Sequence, residues 1–180
     1  MPGRAHETAQ AVDHLLVTGG LAAVTLRNIA ALVGRSPAAL SSHLTNRERL
    51  MRVSASIVSR ARLERIESRV RTEGVGAFVP VDDDDVLATR AWLGWLELWR
   101  SDDALEYVVT EGRDHERRLL AWALDFRLER DRLDLALATI EGLRTAVCAP
   151  VAPMPVQRAQ SLLGIAVREL LRRGGDPTAA

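Results

Sequence analysis

Apolar positions recur at helical spacing along most of the chain, and alternating β-branched runs are missing, which predicts an all-α protein of about nine helices. Ala9, Val12, Leu15 and Leu16 share one face of a helix over 5–18, with Gly19-Gly20 as its expected stop. Thr25 is placed to cap a second helix over 26–33, which Gly34 would end. Ser36 then caps a short third helix, with Pro37 at its first position, where the missing N–H costs nothing. Asn46 would open a long helix reaching about residue 72.

The two glycines and the proline of 73–80 predict a loop, and the acidic run Asp82 to Asp85 precedes a helix over 86–100. Ser101, Asp102 and Asp103 read as the cap of a further segment. Gly112 reads as a break before a helix over 114–129. Helices over 131–148 and 156–173 follow, separated by a loop with three prolines.

The third helix poses a question. It is short and weakly apolar, yet it follows a well-patterned one. Leu40 and Leu44 can anchor it, which leaves Pro37, Ala38, Ser41, Ser42 and His43 facing outward. A helix anchored on one side and small or polar on the other suits a major groove lined by base edges and phosphates. Three short N-terminal helices, the second and third joined by a glycine turn, make a helix-turn-helix.

Charge supports this placement. Acidic and basic residues balance at 24 each, but residues 1–52 carry six arginines against Glu7, Asp13 and Glu48. A basic head on an acidic body fits nucleic acid at one end. All basic residues are arginine, a mark of coding bias that says nothing about function. The single cysteine, Cys148, excludes an internal disulfide and a cysteine metal cluster. A polar N-terminus and the lack of an apolar run of ~20 residues argue for a cytoplasmic protein with no membrane partner.

These residues resemble the tetracycline-repressor (TetR) family of bacterial transcription regulators. The family motif reads roughly Thr-x-Arg-x-Ile-Ala, then Gly-Val-Ser-x-Gly-x-Leu-Tyr-x-His-Phe, then x-Asn-Lys-Glu-x-Leu. Here GGLAAVTLRNIAALVGRSPAALSSHLTNRERL matches at Thr25, Arg27, Ile29, Ala30, Gly34, Ser36, Leu40, His43, Asn46, Glu48 and Leu50. The segments AWLGWLELWRSDDALEYVV and ATIEGLR resemble the ligand domains of its betaine-regulator-like members. The chain departs from the motif at Arg35, Ala38, Ser41, Leu44 and Arg47, where the family has Val, Gly, Tyr, Phe and Lys.

The resemblance implies a helix-turn-helix domain over 1–50 and a ligand-binding and dimerisation bundle over 51–180. It implies a homodimer joined through the helices over 131–148 and 156–173. It also implies a double-stranded DNA operator and a small-molecule inducer, apolar or cationic. DNA contacts are expected from Thr25, Arg27, Arg35, Ser36, Pro37, Ala38, Ser41, Ser42, His43 and Arg47. Arg47 keeps the positive charge and adds a fork that suits phosphate.

Trp92, Trp95 and Trp99 fall on one helical face, and with Tyr107 and Trp122 they are the candidates for an aromatic ligand pocket. For any one tryptophan, ordinary core is the plainer reading. Asp82 to Asp85 read as a helix cap, and Cys148 as a packed hydrophobe. The chain carries no Gly-rich phosphate loop, nucleophile elbow or Cys/His pairing, so neither an enzyme, a metal nor a cofactor is expected. A helical dimer that has lost specific DNA binding, acting as an adaptor or small-molecule binder, is the alternative reading.

Overall fold

The computed structural model describes residues 2–43, 47–100 and 103–174, with side chains described over 6–19, 22–40, 51–100, 103 and 105–172. Its regular structure is entirely helical among those residues. Eight α-helices follow in order: α1 (Pro2–Ala23), α2 (Leu26–Leu32), α3 (Pro37–His43), α4 (Arg47–Glu73), α5 (Asp83–Trp99), α6 (Glu106–Ala123), α7 (Arg130–Val147) and α8 (Val156–Gly174). Short 3-10 turns occupy Gly74–Phe78 and Asp103–Leu105. No helix among the described residues is long and apolar enough to cross a membrane.

Three boundaries differ from the sequence reading. Gly19-Gly20 does not stop α1, which runs on to Ala23. Gly112 does not break α6, which is continuous from Glu106 and ends at Ala123, six residues before Glu129. The segment 73–80 is no open loop: it forms the 3-10 turn Gly74–Phe78, and Ala77, Phe78 and Val79 are buried. The proposed caps Asn46, Ser101 and Asp102, and the anchor Leu44, lie outside the described residues.

The chain divides into two compact units. One comprises residues 1–62 and 90–112, the other 63–89 and 113–180. In the first unit, Val12 and Leu16 of α1, Ile29 and Ala30 of α2, Leu40 of α3, Met51, Ala55 and Val58 of α4, and Trp92 and Trp95 of α5 share one apolar core. In it α2 packs against both α1 and α3.

In the second unit, α7 packs along α8, and α8 also meets the 3-10 turn Gly74–Phe78. Ile66, Phe78, Leu120, Ile140 and Leu163 lie at the centre of its core. Two arginines hold that buried turn by its carbonyls. Arg69 donates to the Val79 oxygen (3.3 Å) and pairs with Asp85. Arg144 donates to the Phe78 oxygen (2.7 Å) and pairs with Glu116 at 2.5 Å. Arg144 and Glu116 are both buried, so each charge is offset by the other rather than by water.

Candidate nucleic-acid interface and aromatic row

The helix-turn-helix is built by its caps. Thr25 sits in an extended conformation before α2, and its hydroxyl oxygen accepts from the Asn28 N–H at 3.2 Å. That satisfies one of the donors a helix start leaves unpaired. Asn28 in turn donates its side-chain amide to the Ala23 carbonyl at 2.9 Å, tying α2 back to the end of α1.

At the other end of α2, Gly34 takes the left-handed conformation (φ +66°). The Gly34 N–H bonds to the Ala31 oxygen and the Arg35 N–H to the Ala30 oxygen (2.8 Å), the paired bonds of a Schellman cap. Ser36 starts α3 the same way: its hydroxyl accepts from the Ala39 N–H at 3.1 Å, and its carbonyl from the Leu40 N–H at 3.0 Å.

The turn thus fixes what α3 shows. Leu40 is buried with Ile29 and Ala30, while Pro37, Ala38 and Ala39 are exposed. Arg27 is exposed on α2, Ser36 is exposed, and Arg35 is half-buried. Ser41, Ser42 and His43 continue α3, and Arg47 opens α4; their side chains lie outside the described set. Thr25 and Arg27 thus stand at the start of α2, and Arg35, Ser36, Pro37 and Ala38 on the turn and first positions of α3.

The aromatic residues behave differently. Trp92 (2% exposed) and Trp95 (0%) are buried in the core of the first unit, and Trp99 packs half-buried against it. Tyr107 does not join them, because 72% of it is exposed. Trp122 is 46% exposed and belongs to the second unit. Within the first unit the aromatic row is therefore Trp92, Trp95 and Trp99 along α5. One face of that row is already used: the Arg62 guanidinium, itself buried, lies 4.6 Å from the Trp92 ring centre. A cation over an indole face is attracted by the ring quadrupole.

Trp95 donates its indole N–H to Oδ1 of Asp13 on α1 at 3.1 Å. Burial pushes the Asp13 carboxyl up to about 6, against the lowering influence of that hydrogen bond. Neither Asp13 nor Arg62 was singled out from sequence, although a signal was there. Asp13 falls one helical turn after Ala9 and Arg62 one turn after Val58, each within an otherwise apolar stripe.

The other candidates have structural partners. Asp82 caps α5 by accepting from the Asp85 N–H at 2.8 Å. Cys148 is buried with its Sγ 3.7 Å from the Val86 oxygen. Among the described residues, no three His, Cys, Asp or Glu side chains are grouped to hold a metal ion.

No protein-family model matches the chain, and no curated protein sequence does. Solved structures do. A transcriptional regulator from Rhodococcus sp. Rha1 superposes with a TM-score of 0.83 at 18% identity, over 94% of this chain and 97% of that one. A protein from Rhodococcus sp. described as a TetR-family transcriptional regulator gives 0.75 at 15% identity, over 95% and 100%. A protein described as a transcriptional regulator from Saccharomonospora viridis, in complex with choline, gives 0.78 at 13% identity, over 93% and 97%. The chain therefore has the all-α fold of TetR-family regulators over nearly its whole length.

Proposed function

We propose that the chain is a ligand-responsive transcription regulator that binds a pseudo-palindromic DNA operator as a homodimer. Residues 1–50 are the DNA reader and 51–180 the ligand and dimer domain. The observation that carries this reading is the capped turn from Thr25 to Leu40. It buries Ile29, Ala30 and Leu40 and leaves Pro37, Ala38 and Ala39 exposed at the start of a short helix, with Arg27 exposed and Arg35 half-buried on the same stretch. The likeness to regulators of the same fold supports it.

In this reading Arg27 and Arg47 hold phosphates, and Thr25 and Ser36 add hydroxyl contacts at the helix starts. Pro37 and Ala38 meet thymine methyls, and Ser41, Ser42 and His43 meet base edges or phosphate. Arg35 stands in the turn as an extra positive group.

The dimer forms through 131–148 and 156–173. Leu135 on α7 and Ile165 on α8 are each 56% exposed, and Ala138 and Gly142 continue the exposed strip on α7. Two-fold symmetry then presents two α3 helices to half-sites about one turn of DNA apart. Repression is the expected default.

The effector is a small apolar or cationic molecule that meets the tryptophan row. The choline bound by the Saccharomonospora viridis protein makes a quaternary ammonium the first compound to try. An effector with ~1–3 kcal/mol preference for the DNA-incompetent state suffices to release the operator. Titration calorimetry with choline and betaine reads this directly, and absence of heat with both removes the cationic class.

Fluorescence anisotropy with the DNA upstream of the chain's own gene tests the reader. Wild type is expected to bind in the presence of excess random DNA, and Arg27→Ala and Arg47→Ala to lose most of that affinity. If the variants bind as wild type does, the assigned interface is wrong. Binding to no genomic fragment at all leaves the small-molecule or adaptor reading.

A further inference from the structure

The first unit contains a polar contact that the DNA-reader account does not use. Asp13 lies on α1, the first helix of the reading head, and its partner Trp95 lies on α5 in the tryptophan row. A second contact reinforces the first. Leu16 of α1 lies against Gly94 of α5, where a Cβ would stand 3.5 Å from the leucine side chain. Both contacts fall within one compact unit and one apolar core. The head is therefore joined directly to α5, besides being continuous with α4.

We propose that the Asp13–Trp95 contact is a proton-sensitive latch that couples α1 of the reading head to the effector-facing helix α5. The DNA consequence rests on the function proposed above, whereas the latch itself does not. A carboxylate in an apolar seam is disfavoured as an anion, because burial strips its water. Protonation removes that cost and weakens the indole N–H bond, which a carboxylate accepts more strongly; burial is the larger of the two, so the folded seam as a whole favours the proton.

Neighbouring turns of α1 carry Ala9, Gln10, Leu16 and Val17, and the titratable His6, Glu7 and His14 of the same helix are exposed. Trp95 is flanked on α5 by Ala91, Trp92, Leu98 and Trp99. Among charged side chains on the other helices of the core, Arg62 of α4 is held over Trp92, while Arg27 of α2 and Glu106 and Glu111 of α6 are exposed. Arg90 at the head of the α5 segment is half-buried, and Glu97 and Arg100 are exposed. Burial dominates at Asp13, with the Trp95 N–H opposing it, and the carboxyl is held up to about 6.

The test compares wild type, Asp13→Asn and Trp95→Phe by DNA anisotropy and by thermal midpoint, each from pH 4.5 to 7.5. Asparagine keeps an acceptor for the indole and cannot titrate. The ratio of wild-type to Asp13→Asn affinity is expected to change at least threefold across the window, and the wild-type midpoint to rise against that of Asp13→Asn as the pH falls. Trp95→Phe removes the bond that lowers the carboxyl, so its inflection moves to higher pH. Parallel pH profiles for wild type and Asp13→Asn in both readouts overturn the latch. If no DNA binds at any pH, the function reading falls, and the thermal profiles alone decide the latch. If Asp13→Asn does not fold, the displaced or unmoved inflection of Trp95→Phe decides it.

Discussion

A few side chains in this molecule carry charge where water does not reach, and their replacement has predictable signs. Arg144 and Glu116 satisfy one another beside the Phe78 carbonyl in the core of the second unit. Removing one partner strands the other, so Arg144→Ala should destabilise by ~3–5 kcal/mol, read from the denaturant midpoint. A loss below ~1 kcal/mol would show that the pair is solvated.

Asp13 works in the opposite sense. Its folded value, about 6, lies above the ordinary carboxyl value of 3.8. The native state then binds the proton more tightly than the unfolded chain between those two values. The stabilisation is fully present below about 3.8 and is lost as pH rises through about 6. At neutral pH, Asp13→Asn should raise the thermal midpoint, and a lowered midpoint contradicts this assignment. At the DNA-facing end, Thr25→Ala should cost ~1 kcal/mol by leaving the Asn28 N–H without its acceptor.

At the level of elements, most helices were legible because capping chemistry is local. Thr25, Gly34, Ser36 and Asp82 each sit where sequence alone placed them, each with a bond or a dihedral to account for it, and Pro37 is the first residue of α3. Two failures came from glycines that lie inside helices. A Cβ on Gly112 would stand 2.7 Å from the Ser59 hydroxyl and 3.5 Å from Trp92, so this glycine lets helices approach and does not end one. Gly19 lies within an unbroken α1, where a Cβ would meet that of Ala23 at 2.5 Å.

The end of α6 failed for the converse reason. Asp125 adopts φ 51° and its neighbour Phe126 φ 55°, with the Phe126 N–H bonded to the Ala121 oxygen at 2.8 Å. That is a helix cap in which aspartate occupies the usual glycine position, so no glycine marked it. Asp125→Gly should therefore stabilise the fold by ~0.5–1 kcal/mol. Gly34→Ala, at φ +66°, should destabilise it by about as much. Opposite signs in either variant would refute the corresponding cap. The candidate site was legible to a similar depth. The caps of the turn were legible because capping is local, whereas the exposure of Tyr107 and Trp122 was not, because one-dimensional spacing does not report which aromatic faces solvent.

For the whole molecule, the proposed account requires two copies. Leu135 and Ile165 are too exposed to add stability to a lone chain, and Leu135→Asp with Ile165→Asp should convert a dimer to monomer in sedimentation. A wild type that stays monomeric at micromolar concentration contradicts the dimer and, with it, paired half-sites. The central claim is that a capped, weakly apolar helix exists to read DNA. Its most direct test is the affinity of the wild-type protein for a fragment selected from its genome, measured against random DNA over a range of salt. The account predicts affinity at least ~10³-fold above random sequence and a log–log slope on salt of several units, from the counterions that phosphate contacts release. Equal affinity for both DNAs, or a flat slope, would contradict it.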